Sequence, residues 1–134
     1  MGTILNLDWI AGFFDGEGSV SLQFHRMPSC KYGYQFLPCI SISQKTRNIL
    51  ECIQKQLQMG RLYTNGEQWR LEIRRQQNLR QFVTLFSSRT QMKRQQLLLL
   101  IEALGLLHQG PMRGAELWGG ALPKSNVLRL LEIV

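Results

Sequence analysis

The chain has 134 residues, 44% of them apolar, and carries a formal charge of +7 from 16 Lys and Arg against 9 Asp and Glu. That is room for one domain with a core, residues 1–134, and too apolar for a disordered chain. Cys30, Cys39 and Cys52 show no C-x-x-C spacing, which argues against a disulfide framework or cysteine-bound zinc, and His25 and His108 alone offer imidazole. The most apolar run, residues 97–107, contains Glu102 and is too short to cross a bilayer. Met1-Gly2 opens like a myristoylation signal, but Asn6 breaks the pattern, and no secretory or transit segment is visible. The expectation is an intracellular, non-secreted protein with no membrane partner. Excess positive charge points to nucleic acid, and the placement of the basic residues along a strand, not an amphipathic helix, favours that over a membrane surface.

The first element is a short helix over residues 9–18. Trp9, Ile10, Phe13 and Phe14 recur at helical spacing and supply a core face, while Ala11, Gly12 and Gly16 leave the other side almost bare. Glycine inside a helix costs about 1 kcal/mol relative to alanine, and the usual reason to accept that is close approach of another backbone. Asp15 and Glu17 then stand at the helix end, where the dipole disfavours negative charge. A tightly packing helix that delivers carboxylates to the end of its contact suits metal ions held at an interface.

Residues 19–26 alternate as a strand, with Val20, Leu22 and Phe24 inward, and a loop spans 27–33. A second strand covers 34–43, with Phe36, Ile40 and Ile42 inward and Leu37, Cys39 and Ser41 outward; Pro38 predicts an edge or a bulge. Thr46 caps a helix to about Met59, ended by Gly60. Residues 61–64 and 67–75 flank Asn65-Gly66, a tight hairpin signal, with Trp69, Leu71 and Ile73 inward. Helices follow over 77–87 and 91–107, then a looser extension, 110–134, in which Ser125 opens a short helix through Leu128, Leu130 and Leu131. The order α-β-β-α-β-β-α predicts an α+β fold with a four-stranded antiparallel sheet, helices on one face and the other face open. The open face collects Ser21, Gln23, His25, Gln35, Ser41, Arg61, Gln68, Arg70 and Arg74, residue types that contact base edges and phosphates. A strand of about eight residues spans ~26 Å, roughly eight base pairs of duplex.

Ile-Ala-Gly-Phe-Phe-Asp-Gly-Glu-Gly, residues 10–18, followed by Ser19, resembles the LAGLIDADG motif of homing endonucleases. The resemblance extends more weakly to about Leu107. Glu17 departs from the commoner aspartate but is also a carboxylate. One copy of the motif implies a homodimer, with Ala11, Gly12, Asp15 and Gly16 at its contact. The resemblance further implies the saddle-shaped LAGLIDADG sheet and a double-strand break in a long pseudo-palindromic DNA. Mg²⁺ is the implied cofactor, with Mn²⁺ as a substitute and Ca²⁺ supporting binding without cleavage.

By the same resemblance Glu17 is the metal-binding acid, with the Gly16 carbonyl as a further ligand, and Asp15 has the lesser, structural role. Gln44 matches the residue that positions water, and Lys93 the basic residue that stabilises charge, with Arg94 its nearest competitor. Asn48 stands where some relatives carry a second basic residue. Relatives of this fold also serve as RNA-binding intron maturases or as DNA-binding proteins without catalysis, so RNA stays open as a partner. An organelle, chloroplast or mitochondrion, or a prokaryotic cytoplasm is the implied location.

Overall fold

In chain order the elements are α1 (Leu7–Glu17), β1 (Gly18–Arg26), β2 (Tyr34–Gln44), α2 (Arg47–Leu57), β3 (Arg61–Thr64), β4 (Trp69–Ile73), α3 (Gln76–Phe86) and α4 (Arg94–Leu107). They come from a computed structural model that describes residues 4–26, 34–107, 129 and 132–133, without the side chains of residues 25, 26, 34 and 35. The loop expected at 27–33 and the helix expected from Ser125 lie outside the described residues.

The strands form one four-stranded sheet in the order β1-β2-β4-β3. β2 runs antiparallel to β4 with Ser41 opposite Glu72 and Ser43 opposite Arg70, and β3 runs antiparallel to β4 with Arg61 opposite Glu72 and Tyr63 opposite Arg70. β2 is therefore an inner strand, so of the edge or bulge that Pro38 predicts the edge is excluded. The β2–β4 ladder explains this: it stops at Ile40 opposite Ile73, two residues short of Pro38, so no β4 carbonyl waits there for the missing N–H.

The tight hairpin at Asn65-Gly66 proves to be a four-residue loop, since Thr64 pairs directly with Trp69. The Asn65 side chain accepts the N–H groups of Glu67 and Gln68, and Gly66 takes φ +100°, open to glycine at no steric cost.

By internal contacts the chain divides into two compact units, residues 1–20 with 39–98 and residues 21–38 with 99–134. The first unit holds α1, α2, β3, β4 and α3. Its core contains Ile10, Ala11, Phe14, Ile40, Ile42, Leu50, Ile53, Leu71, Ile73, Leu79, Phe82 and Phe86, all buried. Phe14 meets Phe82 edge-on at 5.0 Å between centroids, which seats α1 on α3. The N-terminus of α1 is fixed twice. Asn6 caps it by accepting the Asp8 N–H, and the Gln56 amide of α2 both accepts from Leu5 N–H and donates to Leu5 carbonyl, at 2.7 and 2.8 Å. Arg47, at the start of α2, lies over the Trp69 ring at 4.9 Å, and Thr46 precedes it without a side-chain capping bond.

In the second unit Phe24 and Phe36 lie 6.4 Å apart, Leu100, Ala103, Leu104 and Leu107 are buried, and Arg129 forks onto Glu102. Among the described residues no helix is long and apolar enough to cross a membrane.

Candidate active site and nucleic-acid interface

α1 sets the geometry of the motif. Its core face is Ile10, Ala11 and Phe14, all buried. This corrects the sequence expectation by about one residue of phase: Ala11 belongs to the core of its own chain and is not free for a partner. Trp9, expected in the core, is 47% exposed and stacks on Phe13 at 5.2 Å. The outward stripe is thus Trp9, Gly12, Phe13 and Gly16, at i, i+3, i+4 and i+7. A Cβ built on Gly12 or Gly16 meets nothing within 4 Å, whereas one on Gly18 would strike the Phe14 ring at 2.1 Å. Gly18 is therefore required by its own fold. Gly12 and Gly16 are not.

The two motif acids behave differently. Asp15 is consumed internally: its Oδ2 accepts the Gln91 N–H at 2.7 Å and its Oδ1 the Lys93 N–H at 3.1 Å, just ahead of α4. Lys93 answers with its ammonium, which donates to the Asp15 carbonyl at 2.9 Å. A carboxylate at the N-terminus of α4 and an ammonium at the C-terminus of α1 each oppose the local helix dipole, so the two ends clasp each other. These bonds give Asp15 a structural role at the helix end of its own chain.

Glu17, two residues on, is exposed, and its carboxylate has no hydrogen-bond or ion-pair partner among the described residues. Gly16, in the same last turn, is exposed too and has one of the carbonyls that a helix end leaves without an intrahelical donor. Gln44 sits half-buried at the end of β2, where its Oε1 accepts the Lys45 N–H at 2.8 Å. Lys93 is thereby brought to the end of the helix that presents Glu17, and Gln44 bonds only locally. Arg94 turns away from both: its guanidinium donates to the Ser87 and Ser88 carbonyls. Among the described residues no three His, Cys, Asp or Glu side chains cluster to hold a metal. Among the described residues, the end of α1 thus presents one free carboxylate, that of Glu17, which fits Mg²⁺, since that ion keeps several waters and takes few protein ligands beside phosphate oxygens.

The polar sheet face is more tightly knit than its alternation implies. Ser41, expected to stand free, is 4% exposed. Its Oγ lies 2.7 Å from Ser19 Oγ and accepts from Arg70 Nη2 at 3.1 Å. Cys39, also expected outward, is buried, and burial pushes its thiol pKa up. The cause is position, because β2 lies inside the sheet and long side chains from β4 cover it.

Glu72 gathers the rest. Its Oε1 accepts from Arg74 Nε at 2.5 Å, its Oε2 accepts from Tyr63 OH at 2.7 Å, and Arg70 Nε lies 3.8 Å from Oε2. Burial acts to raise the Glu72 pKa, but the bonds from Arg74 and Tyr63 and the two guanidinium charges bring it below the usual carboxylate range. Tyr63 was absent from the sequence-derived candidates, although alternation with Arg61 puts it on this face. Arg61 lies 5.7 Å from the Tyr63 ring. Ser21 is half-buried, Gln23 and Gln68 are exposed, and the side chains of His25 and Gln35 lie outside the described residues.

The LAGLIDADG endonuclease family model matches residues 10–101, and the chain belongs to that family. The crystal structure of a homing endonuclease, I-TnaI, superposes with a TM-score of 0.81 at 27% identity, over 98% of this chain and 86% of that one. The archaeal intron-encoded homing endonuclease I-Vdi141I, complexed with DNA, gives a TM-score of 0.80 at 23% identity, covering 95% of this chain and 78% of that one. I-CvuI, in complex with the I-CreI target left uncleaved in 2 mM Mg, gives 0.70 at 23%, covering 75% and 66%, and has also been solved with its own target in 2 mM Ca. No curated protein sequence matches the chain. The α+β fold expected from the residue pattern is the fold of these endonucleases.

Proposed function

We propose that two copies of the chain form a site-specific DNA endonuclease that makes a Mg²⁺-dependent double-strand break in a long pseudo-palindromic target. The observation that carries this is the end of α1, where a stripe with two glycines that its own chain does not require leads to a partnerless carboxylate. Pairing the Trp9–Gly12–Phe13–Gly16 stripe with its copy gives those glycines their purpose and brings one Glu17 from each chain to the two-fold axis.

Glu17 and the Gly16 carbonyl are the groups that would hold the ion, at a helix end whose dipole favours a cation. When bound, Mg²⁺ supplies activated water and stabilises the charge of the leaving oxygen; the I-CvuI structures with Mg and Ca support a divalent ion here. The clasp between Asp15 and Lys93 fixes the last turn, so Glu17 is presented without a loop's freedom. Lys93 brings positive charge to the scissile phosphate, a preorganised contribution that costs no rearrangement during reaction. Gln44 offers its amide to the attacking water. Arg61, Arg70, Arg74, Gln23 and their neighbours contact the duplex along the sheet.

The test is incubation with a randomised duplex library, sequenced after cleavage in Mg²⁺ and after capture in Ca²⁺. Pseudo-palindromic sites cut in Mg²⁺ by the native chain and bound but uncut by Glu17→Gln are the expected result. Cleavage retained by Glu17→Gln overturns the assignment.

A further inference from the structure

We infer that Glu72, seated on Tyr63, is a specificity-determining positioning residue that aims the guanidinium groups of Arg70 and Arg74 at particular bases. The inference rests on the nuclease reading above and adds to it which residues set the choice of target.

The geometry is layered. The Glu72 side chain is 12% exposed, while those of Arg70 and Arg74 are 43% and 47% exposed. The acid lies beneath and the arginines are presented above it, so Glu72 is placed to hold readers and not to read. Each carboxylate oxygen is occupied: Oε1 by Arg74 Nε, Oε2 by the Tyr63 hydroxyl and, at 3.8 Å, by Arg70 Nε. That Arg70 Nε is buried without a hydrogen-bond acceptor, held by charge alone, while its Nη2 is anchored on Ser41 and, through it, on Ser19. The chain of contacts therefore crosses all four strands, from Ser19 on β1 through Ser41 on β2 and Arg70 and Glu72 on β4 to Tyr63 on β3.

An unrestrained arginine loses rotamer freedom when it is fixed, and it adapts to whichever acceptor is near. A guanidinium fixed in advance avoids that loss only where a base offers acceptors in the matching plane, as guanine O6 and N7 do. The negative charge of Glu72 meanwhile weakens general attraction to phosphates. A positioning role therefore moves two readouts in opposite directions: removing the charge lowers discrimination among bases and raises affinity for unrelated DNA. A merely structural role lowers both.

The experiment compares base preferences from the randomised library for the native chain, Arg70→Ala, Arg74→Ala, Glu72→Gln and Tyr63→Phe, with affinity for unrelated duplex measured alongside. The two alanine variants mark the base pairs that each arginine reads. Glu72→Gln is expected to flatten preference at those same positions by about tenfold, within the range for one bidentate contact, and to bind unrelated DNA at least as tightly. Tyr63→Phe is expected to flatten the same positions more weakly with affinity for unrelated DNA unchanged, because it frees Glu72 Oε2 without removing a charge, and it decides the matter if Glu72→Gln does not fold. A profile unchanged in both variants, or weakening spread evenly over all positions, overturns the inference while leaving the nuclease intact. Failure of the native chain to enrich any DNA sequence overturns the nuclease reading and this inference together.

Discussion

The end of α1 and the polar face of β4 each carry a glutamate, and the two are treated in opposite ways. Glu72 is nearly covered and takes hydrogen bonds from Tyr63 and Arg74 with Arg70 alongside, whereas Glu17 is exposed and has no partner among the described residues. An acid whose two oxygens are both engaged and whose charge is balanced by two guanidinium groups can orient its neighbours but has little attraction left for an ion. An acid left bare at a helix end, where the dipole is already unfavourable, has capacity to spare for a cation. The contrast sharpens when Asp15 is added: two residues from Glu17 in sequence, it accepts one backbone N–H group on each carboxylate oxygen. Adjacent acids in one motif thus divide the labour, one holding the helix end and the other facing outward.

The largest expected effect breaks the bare side of this comparison. Glu17→Gln should lower cleavage by at least about 10²–10³, the scale of losing one group that acts on transition-state charge, while DNA capture in Ca²⁺ and thermal stability stay near native. Asp15→Ala should do the reverse: a stability loss of about 1–2 kcal/mol, as for a lost helix cap, read by chemical denaturation, with activity falling only as the end of α1 loosens.

Gly12→Ala should split in sign. The isolated chain gains up to about 1 kcal/mol of helix propensity, while self-association measured by sedimentation weakens because a methyl group now stands in the contact. Gly12→Leu should abolish the dimer, and an active dimer of that variant would refute the stripe. The smallest effect concerns pH. Because the folded-state pKa of Glu72 is depressed, its contribution is fully present above the unfolded carboxylate value and disappears as pH falls through the folded one. The stability gap between the native chain and Glu72→Gln should therefore hold near neutrality and close as pH falls below the ordinary carboxylate range.

Much of this was visible along the chain because it is local. Period-two alternation marks the strands and the motif residues identify the family, but α2 stops at Leu57 with Gln58 in the left-handed region at φ 54°, ahead of the Gly60 expected to end it. What escaped depended on partners far away in sequence. Asp15 and Lys93 are 78 positions apart, so their clasp leaves no trace in either neighbourhood. The phase of α1 was misjudged because Trp9 and Phe13 look like core residues until Phe82 takes Phe14 as its neighbour and leaves the other two outside. Ser41 and Cys39 alternate as exposed residues should, and only the strand order, which puts β2 inside the sheet under the side chains of β4, explains their burial. Tyr63 became important through register, opposite Arg70, and register is not written in either strand alone.

That four-strand chain of contacts has a practical meaning for anyone retargeting the protein. Exchanging Arg70 for a different reader leaves the Ser41 hydroxyl without its donor and the Glu72 charge balanced by Arg74 alone. On the proposed reading Ser19, Ser41, Tyr63, Arg70 and Glu72 behave as one letter-block, not as independent letters. A library that varies Ser41, Tyr63, Arg70, Glu72 and Arg74 together should yield new target preferences that point-by-point substitution misses.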